Sequence, residues 1–402
     1  MKITFVLPSI GVAGGMRVVF EYANRLKQRG HEVSIIYPMI PLNFGGKWYS
    51  LSNRVGQAKS FVGSLMRGNK VDWFNVDAKL VRILTLSPRF IPLFATKIPD
   101  ADIVVATAWE TAYAVSKLGK EKGGKFYFIQ HYEIWDVWDE DECWEEAERL
   151  ESEPTKQCIA MSEIDATKFP FHHFKTLVDE SYKLPLRKVT ISTWLTNLME
   201  EKFGEQVEAM IMNGVNLELF HNENKQYNEK KRVLMLYHGS RWKGIDDGIR
   251  AFEIARERHP EIQLVMFGAH RGADIPHYVE FHERLFGEKL RRLYCSCDIF
   301  VCPSWVEGSQ APPMEAMACK CAVVSADVGG IPDYAIPGET ALVSPPRCPE
   351  LLAENLIKLV EDEELLKRIS EAGYNHITNL TWDKATEALE QTFSKALGER
   401  AR

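Results

Sequence analysis

Short apolar runs of four to six residues recur along the chain, each closed by small or polar residues and followed by apolar positions at helical spacing. The first run is 2–7, bounded by Pro8. Gly11, Gly14 and Gly15 follow, and then Val18, Val19, Tyr22, Ala23 and Leu26 repeat at the interval of one helix face until Gly30. Residues 32–37 give a second strand. Further strands are expected at 102–106, 125–129, 158–161 and 188–191, with Ser162, and Ser192 or Thr193, as N-caps of the helices after the last two. Strand, turn, helix, strand is the opening of a doubly wound parallel sheet. The polar segment 221–231, rich in Asn and Lys, interrupts the pattern as a linker. It then restarts with strands at 232–237, 262–267, 298–302 and 322–325, turns helical beyond Pro346, and closes with an amphipathic stretch over 381–397.

A chain of 402 residues is too long for one core, so about two domains of ordinary size are expected. A dinucleotide oxidoreductase would need Gly-x-Gly-x-x-Gly in the first turn and an acidic residue closing the second strand. The spacing differs here, and that strand closes with Tyr37-Pro38. The net charge of −7 argues against a dedicated nucleic-acid binder. No run approaches the ~18 apolar residues of a membrane span, and the first residues lack a signal-peptide cleavage site, so a cytoplasmic location is the default.

Charge is unevenly spread. Between 41 and 97 nine basic residues face only Asp72 and Asp77, interleaved with Trp48, Phe61, Trp73, Phe74 and other aromatics. This insert can hold an anionic acceptor such as a lipid-linked diphosphate, or rest on anionic headgroups at the inner face of a membrane; it is equally readable as a solvated helical face over core aromatics. Over 133–163 the balance reverses, with twelve acidic residues against Arg149 and Lys156. The triplet Asp139-Glu140-Asp141 imitates a metal-holding Asp-x-Asp, but it continues into the helical pattern Cys143, Trp144, Ala147, Leu150 and reads as an exposed acidic helix. The eight cysteines include Cys295-x-Cys297, Cys302 and Cys319-x-Cys321. Their one-residue gaps beside apolar segments fit small buried thiols better than a zinc knuckle, and free thiols suit a reducing compartment.

The most informative stretch runs from Cys302 to Thr340. Glu307 and Glu315 bracket Gly308-Ser309-Gln310-Ala311-Pro312, and the second carboxylate falls inside a helix that starts in this loop. A loop-to-helix junction offers unpaired N–H groups to an anion, while the two carboxylates can accept hydroxyls of a sugar and a ribose. That combination suits a sugar nucleotide.

These residues, with Gly329-Gly330-Ile331-Pro332 downstream, resemble the signature of the retaining family 4 glycosyltransferases, which have the GT-B fold. The resemblance implies an α/β protein of two Rossmann-like doubly wound domains facing across a cleft. Residues 1–220 would be the acceptor-binding domain, carrying the insert 41–97; 221–380 would bind the nucleotide sugar; 381–402 would be a helix crossing back to the first domain. It also implies donor contacts: Glu307 at the sugar, Glu315 at the ribose, and backbone approach at Gly14, Gly15, Gly239, Gly308, Ser309, Gln310 and Ala311. His131 matches the family histidine beside the donor sugar, after the strand at 125–129. Lys243, before Gly244, and Arg241 match the cations of the donor diphosphate, although Arg241 is displaced from directly after Gly239. The family loop usually reads Gly-Phe-Gly-Leu-Pro, so Ser309 and Gln310 are departures, as is Asn216 in Asn213-Gly214-Val215-Asn216, where the family has Asp.

By this resemblance the chain moves a sugar, with retention, from a nucleoside diphosphate sugar to a hydroxyl of a glycan or lipid-linked glycan in cell-surface polysaccharide or glycoconjugate synthesis. His131, Glu307, Lys243 and Arg241 are the catalytic candidates. No metal or other cofactor is implied, and no nucleic-acid partner. Two rivals stay open: an epimerase or hydrolase of sugar nucleotides with the same fold, and a donor-binding subunit without catalysis.

Overall fold

A computed structural model describes residues 1–39, 71–86, 95–165 and 172–400, which form two compact units. The first comprises 1–137, 165–212 and 382–402, and the second comprises 138–164 and 213–381.

The first unit is built on seven strands: β1 (Lys2–Val6), β2 (Glu32–Pro38), β3 (Lys79–Ile83), β4 (Ile103–Ala106), β5 (Gly124–Ile129), β6 (Arg187–Thr190) and β7 (Val207–Met210). They are all parallel in the order β3-β2-β1-β4-β5-β6-β7. Consecutive residues such as Ile35 and Ile36, or Val104 and Val105, are both buried, so the central strands are covered on both faces. That is why they read as unbroken apolar runs rather than alternating ones. Helix α1 (Gly14–Gln28) buries the stripe Val19, Tyr22, Ala23 and Leu26, each large side chain contributing roughly 1.5–3 kcal/mol. Gly30 ends it in the left-handed region, φ +88°, and the His31 N–H reaches the Leu26 carbonyl at 3.1 Å in a Schellman turn.

The second unit repeats the scheme with β8 (Arg232–Leu236), β9 (Gln263–Gly268), β10 (Glu280–Glu283), β11 (Ile299–Cys302), β12 (Ala322–Ala326) and β13 (Leu342–Ser344). Their order is β10-β9-β8-β11-β12-β13, again parallel throughout. In each sheet the strand order reverses beside the first strand, between β1 and β4 and between β8 and β11. Open α/β sheets bind ligands at the carboxyl ends of the strands at this switch point.

The insert expected at 41–97 falls largely on 41–70 and 87–94, outside the described residues. Its described parts add β3 to the sheet edge, and Trp73 and Phe74 pack on Phe20 with ring centroids 5.5 and 5.6 Å away. The strand expected at 158–161 is a correction. Helix α4 (Gln157–Ala160) and a 3-10 turn over Met161–Glu163 occupy this run, because a four-residue apolar run fits a buried helical turn as well as a strand. The acidic helix α3 (Asp141–Leu150) forms as its pattern implied, yet its segment 138–164 belongs with the second unit rather than with 1–220. Its apolar stripe explains the placement: Trp144 packs edge-on against Trp305 at 5.4 Å, and the Arg347 guanidinium lies over both rings at 5.6 and 5.5 Å. The chain crosses to the second unit at 212/213 rather than at 220.

The last helix, α8 (Trp382–Arg400), belongs to the first unit. Trp382 meets Tyr22 edge-on at 5.2 Å, Phe393 meets Phe126 at 4.9 Å, and the Glu390 carboxylate accepts from Arg29 at 2.6 Å. Among the described residues no helix is long and apolar enough to cross a membrane.

Candidate functional site

In the second unit the site is built where β8 and β11 end. After β8 the chain turns through His238-Gly239-Ser240 into a 3-10 turn, Arg241–Lys243, and enters helix α5 (Ile245–Arg258) through Gly244. Gly244 has φ +62°, and a Cβ placed there would lie 2.1 Å from the Pro303 carbonyl oxygen. Only glycine permits both the turn and this approach. The Trp305 N–H donates to the Trp242 carbonyl at 2.8 Å, and the Trp305 indole to Asp247 at 2.6 Å. The loop after β11 is thereby fastened to the turn after β8.

This fastening sets the central contact. Lys243 Nζ lies 2.5 Å from Glu307 Oε1 and 4.2 Å from the centroid of the Trp242 ring. Glu307 is 7% exposed, so the pair is an oriented cation and carboxylate in a partly dry setting where charge interactions are strong. His238 stands nearby with Nδ1 accepting from the Ser240 N–H at 3.1 Å, which places its proton on Nε2. Desolvation and the Lys243 charge lower its pKa, favouring the neutral ring.

Gly308 and Ser309 lead from Glu307 to Gln310, the N-cap of α7 (Ala311–Ala318), whose first turn contains Pro312. A proline there lacks only an N–H that the helix would leave unused. The buried Gln310 side chain accepts from the Cys302 thiol through Oε1 at 2.6 Å. Glu315 lies inside α7, 4% exposed, and its Oε2 accepts from the Tyr294 hydroxyl at 3.1 Å. Tyr294 is on helix α6 (Gly287–Cys295). Of the expected residues in this unit, the structure therefore gathers Lys243 and Glu307 into one contact and carries Glu315 on the helix that follows Gln310.

Arg241, expected with Lys243 at the donor diphosphate, has acidic partners from 139–141. Its guanidinium pairs with Asp141 at 2.7 Å, with both side chains about half exposed, and its backbone N–H donates to Asp139 at 2.8 Å. The acidic triplet thus anchors the turn carrying Lys243. The sequence reading missed this use of Asp139 and Asp141, together with Tyr294 and Trp305; the only local signal was the acidic triplet itself.

In the first unit Gly15 and His131 share a neighbourhood through Gln130. A Cβ on Gly15 would fall 3.3 Å from Gln130 Nε2, whereas one on Gly14 would meet nothing within 4 Å. His131, 7% exposed, follows β5 and donates from Nδ1 to the Tyr132 carbonyl at 2.9 Å. Its ring lies 4.7 Å from Trp135 and 6.2 Å from Trp194. Beneath it, Glu133 accepts from the Trp109 N–H at the start of helix α2 (Trp109–Ser116) at 2.6 Å. Burial, and then the neighbouring Glu110 charge, hold the Glu133 carboxyl well above its usual range. Among the described residues no cluster of three or more His, Cys, Asp or Glu could hold a metal ion.

Two parallel sheets of Rossmann-like order, the second with a cation–carboxylate pair at its switch point, define a two-domain α/β protein of the GT-B class. Residues 217–376 match the family Glycosyl transferases group 1. A D-inositol 3-phosphate glycosyltransferase of Corynebacterium diphtheriae is 29% identical over 215 residues, 47% of this chain and 50% of that protein. The chain thus spans half or less of the first curated relatives it matches. Among solved structures, sucrose-phosphate synthase from Thermosynechococcus elongatus has a TM-score of 0.72 at 16% identity, covering 99% of each chain. HepE from Anabaena, solved with UDP and glucose, has a TM-score of 0.68 at 13% identity, covering 98% of this chain and 100% of that one. Both have this fold.

Proposed function

We propose that this protein is a retaining glycosyltransferase that transfers a sugar from a nucleoside diphosphate sugar to a hydroxyl of a glycan or lipid-linked glycan. The observation that carries the reading is the Lys243–Glu307 pair, fastened at the switch point of the matched segment. Lys243 holds the donor diphosphate, Glu315 the ribose, and Glu307 and His131 the sugar hydroxyls. Arg241 acts on the turn through its acidic partners. Relatives named glycosyltransferases, and a neighbour of this fold solved with UDP and glucose, support a nucleotide sugar as donor.

The bond from the anomeric carbon to the diphosphate oxygen breaks while the acceptor oxygen attacks the same face, giving retention. The acceptor proton passes to the departing phosphate oxygen. Lys243 stabilises the negative charge that builds on that leaving group, so this reading requires no metal. A role in cell-surface glycan synthesis, a cytoplasmic setting and contact with an anionic membrane through 41–97 belong to the same proposal.

Thermal shift with UDP, GDP, dTDP and their sugars tests it, because a ligand of the native state at 100 times its dissociation constant adds about 2.7 kcal/mol. One diphosphate should raise the midpoint, much less so in Lys243→Ala. No shift at millimolar concentration with any of them would overturn the donor assignment. Donor consumed without acceptor would instead favour an epimerase or hydrolase, and binding without turnover across an acceptor panel would favour a non-catalytic subunit.

A further inference from the structure

The first unit holds a buried phenol that the proposed reaction leaves out. Residues 131–133 lie beyond Ile129, the last residue of β5 paired with β6, and all three are buried. Their backbone groups therefore need partners from outside the ladder. Tyr182, at the end of the helix His172–Tyr182, serves two of them: its hydroxyl donates to the His131 carbonyl at 3.2 Å and accepts from the Glu133 N–H at 3.2 Å. Between these two bonds the Tyr132 carbonyl accepts from the Ile134 N–H and from His131 Nδ1, both at 2.9 Å. One phenol thus closes the turn whose carbonyl fixes the His131 ring.

The phenol is itself held. Its ring stacks on Tyr127 of β5, with centroids 5.7 Å apart and planes 10° apart, and packs on Phe203 at 5.1 Å. The same helix is fastened to the turn again, because the Tyr132 hydroxyl donates to one Asp179 oxygen at 2.7 Å and Lys175 Nζ to the other at 2.7 Å. It also meets α2: Trp109 packs edge-on against Phe174 at 5.6 Å, and the Tyr113 hydroxyl donates to the Leu177 carbonyl at 2.8 Å. Tyr182 is 0% exposed, so it acts on a ligand only through its neighbours. Burial above all holds its pKa well above the usual phenol range, so the proton it donates is present at every working pH.

We propose that Tyr182 is a positioning residue for the donor sugar, acting through residues 131–133 on the His131 imidazole. Its hydroxyl fixes both ends of the turn, and the turn fixes the carbonyl that His131 Nδ1 reaches. Without that hydroxyl the His131 carbonyl and the Glu133 N–H lose this partner in a buried setting, and the turn shifts to recover others. The inference rests on the reading of His131 as a contact of the donor sugar; the hold on its ring does not.

Two arms test it on the full chain with Tyr182→Phe and, for comparison, Tyr113→Phe. Each variant keeps its aromatic ring and loses one hydroxyl that touches the helix His172–Tyr182 or leaves from it. The first arm reads the His131 ring in 15N-histidine-labelled protein at pH 8, with its signals assigned by their loss in His131→Ala. Nδ1 should carry a bound proton in wild type and in Tyr113→Phe, and should average between the two tautomers in Tyr182→Phe. An unchanged ring in Tyr182→Phe, or the same change in Tyr113→Phe, would overturn the hold. Wild type adds a check that needs no variant: the Tyr182 hydroxyl should exchange slowly enough to split its ring-carbon signal in mixed light and heavy water. A single line there would overturn the bridge.

The second arm compares UDP with UDP-glucose by titration calorimetry, or GDP with GDP-mannose or dTDP with dTDP-glucose where that diphosphate is the one bound. Tyr182→Phe should weaken the sugar nucleotide by roughly 3–10-fold, the range of one net hydrogen bond, and the diphosphate by less than about twofold. In the His131→Ala background the same change should weaken it no further. Equal losses for both ligands, or an undiminished effect in His131→Ala, would overturn the positioning role. No binding of any pair to wild type counts against the donor assignment alone, leaving the first arm to decide the hold on the ring.

Discussion

Lys243 Nζ and Glu307 Oε1 lie 2.5 Å apart although 64 positions separate them along the chain. The contact joins the turn after β8 to the loop after β11, and the two partners have different roles in the proposed reaction. Removing each should therefore give a different defect. Lys243→Ala should weaken nucleoside diphosphate binding by about 1.5–3 kcal/mol, the range for a hydrogen bond to a charged group. Glu307→Gln keeps the shape and frees the ammonium, so diphosphate affinity should hold or rise while turnover falls by roughly 10²-fold or more. Titration calorimetry with the diphosphate, beside a transfer assay, separates the two. Equal loss of affinity in both variants would contradict the division of roles.

Arg241 and Asp141 form an exposed pair, and such pairs contribute only about 0–1 kcal/mol. Arg241→Ala and Asp141→Asn should each change diphosphate affinity by less than roughly fivefold, far below the effect of Lys243→Ala. An Arg241→Ala defect as large as that of Lys243→Ala would return Arg241 to the diphosphate.

Gly244 and Gly239 bracket the same turn but face different constraints. At Gly244, φ is +62° and an added Cβ would meet the Pro303 carbonyl; at Gly239 nothing lies within 4 Å. Gly244→Ala should lower stability by roughly 1–3 kcal/mol or more, read as a drop in denaturant midpoint, and Gly239→Ala should leave it nearly unchanged. Similar midpoints for the two variants would mean that the turn tolerates a side chain.

The Glu110 and Glu133 carboxyls predict a pH dependence of the first unit. Burial pushes Glu110 up to about 7 and, with the Glu110 charge added, Glu133 well above its usual range, against 4.5 for a free side chain. Between those values the unfolded chain has released protons that the folded chain still holds, so stability falls as pH rises through this window. The slope is on the order of 1.4 kcal/mol per pH unit for each fully shifted group, less for the partly exposed Glu110. Denaturant midpoints between pH 4.5 and 8 should decline in wild type and decline less in Glu133→Gln, whose carbonyl can still accept the Trp109 N–H. Parallel curves would remove Glu133 as the source.

The central strands were legible because parallel strands covered on both faces run apolar over consecutive positions, as in 35–37 or 299–302. Edge strands escaped for the converse reason: β10 consists of Glu280, Phe281, His282 and Glu283 and leaves no apolar run. The helical pattern of Cys143, Trp144 and Ala147 was readable, but not the surface it would cover, since Trp305 lies far along the chain. Glu307, Glu315 and Lys243 stood out because a loop, a helix start and a Lys-Gly turn are local features. Tyr294 as the partner of Glu315, and Asp141 as the partner of Arg241, are meetings between distant segments, which residue spacing does not encode.

The chain passes between its two units at 137/138, 164/165, 212/213 and 381/382. During synthesis the second unit has all its residues once position 381 has emerged, while the first, begun earlier, still lacks α8. Until then the α1 face bearing Tyr22, which Trp382 will cover, stays open, and Phe126 lacks Phe393. The unit that starts first is therefore the one finished last, and a ribosome-bound chain arrested before residue 382 would display an incomplete first unit beside a second unit with all its residues.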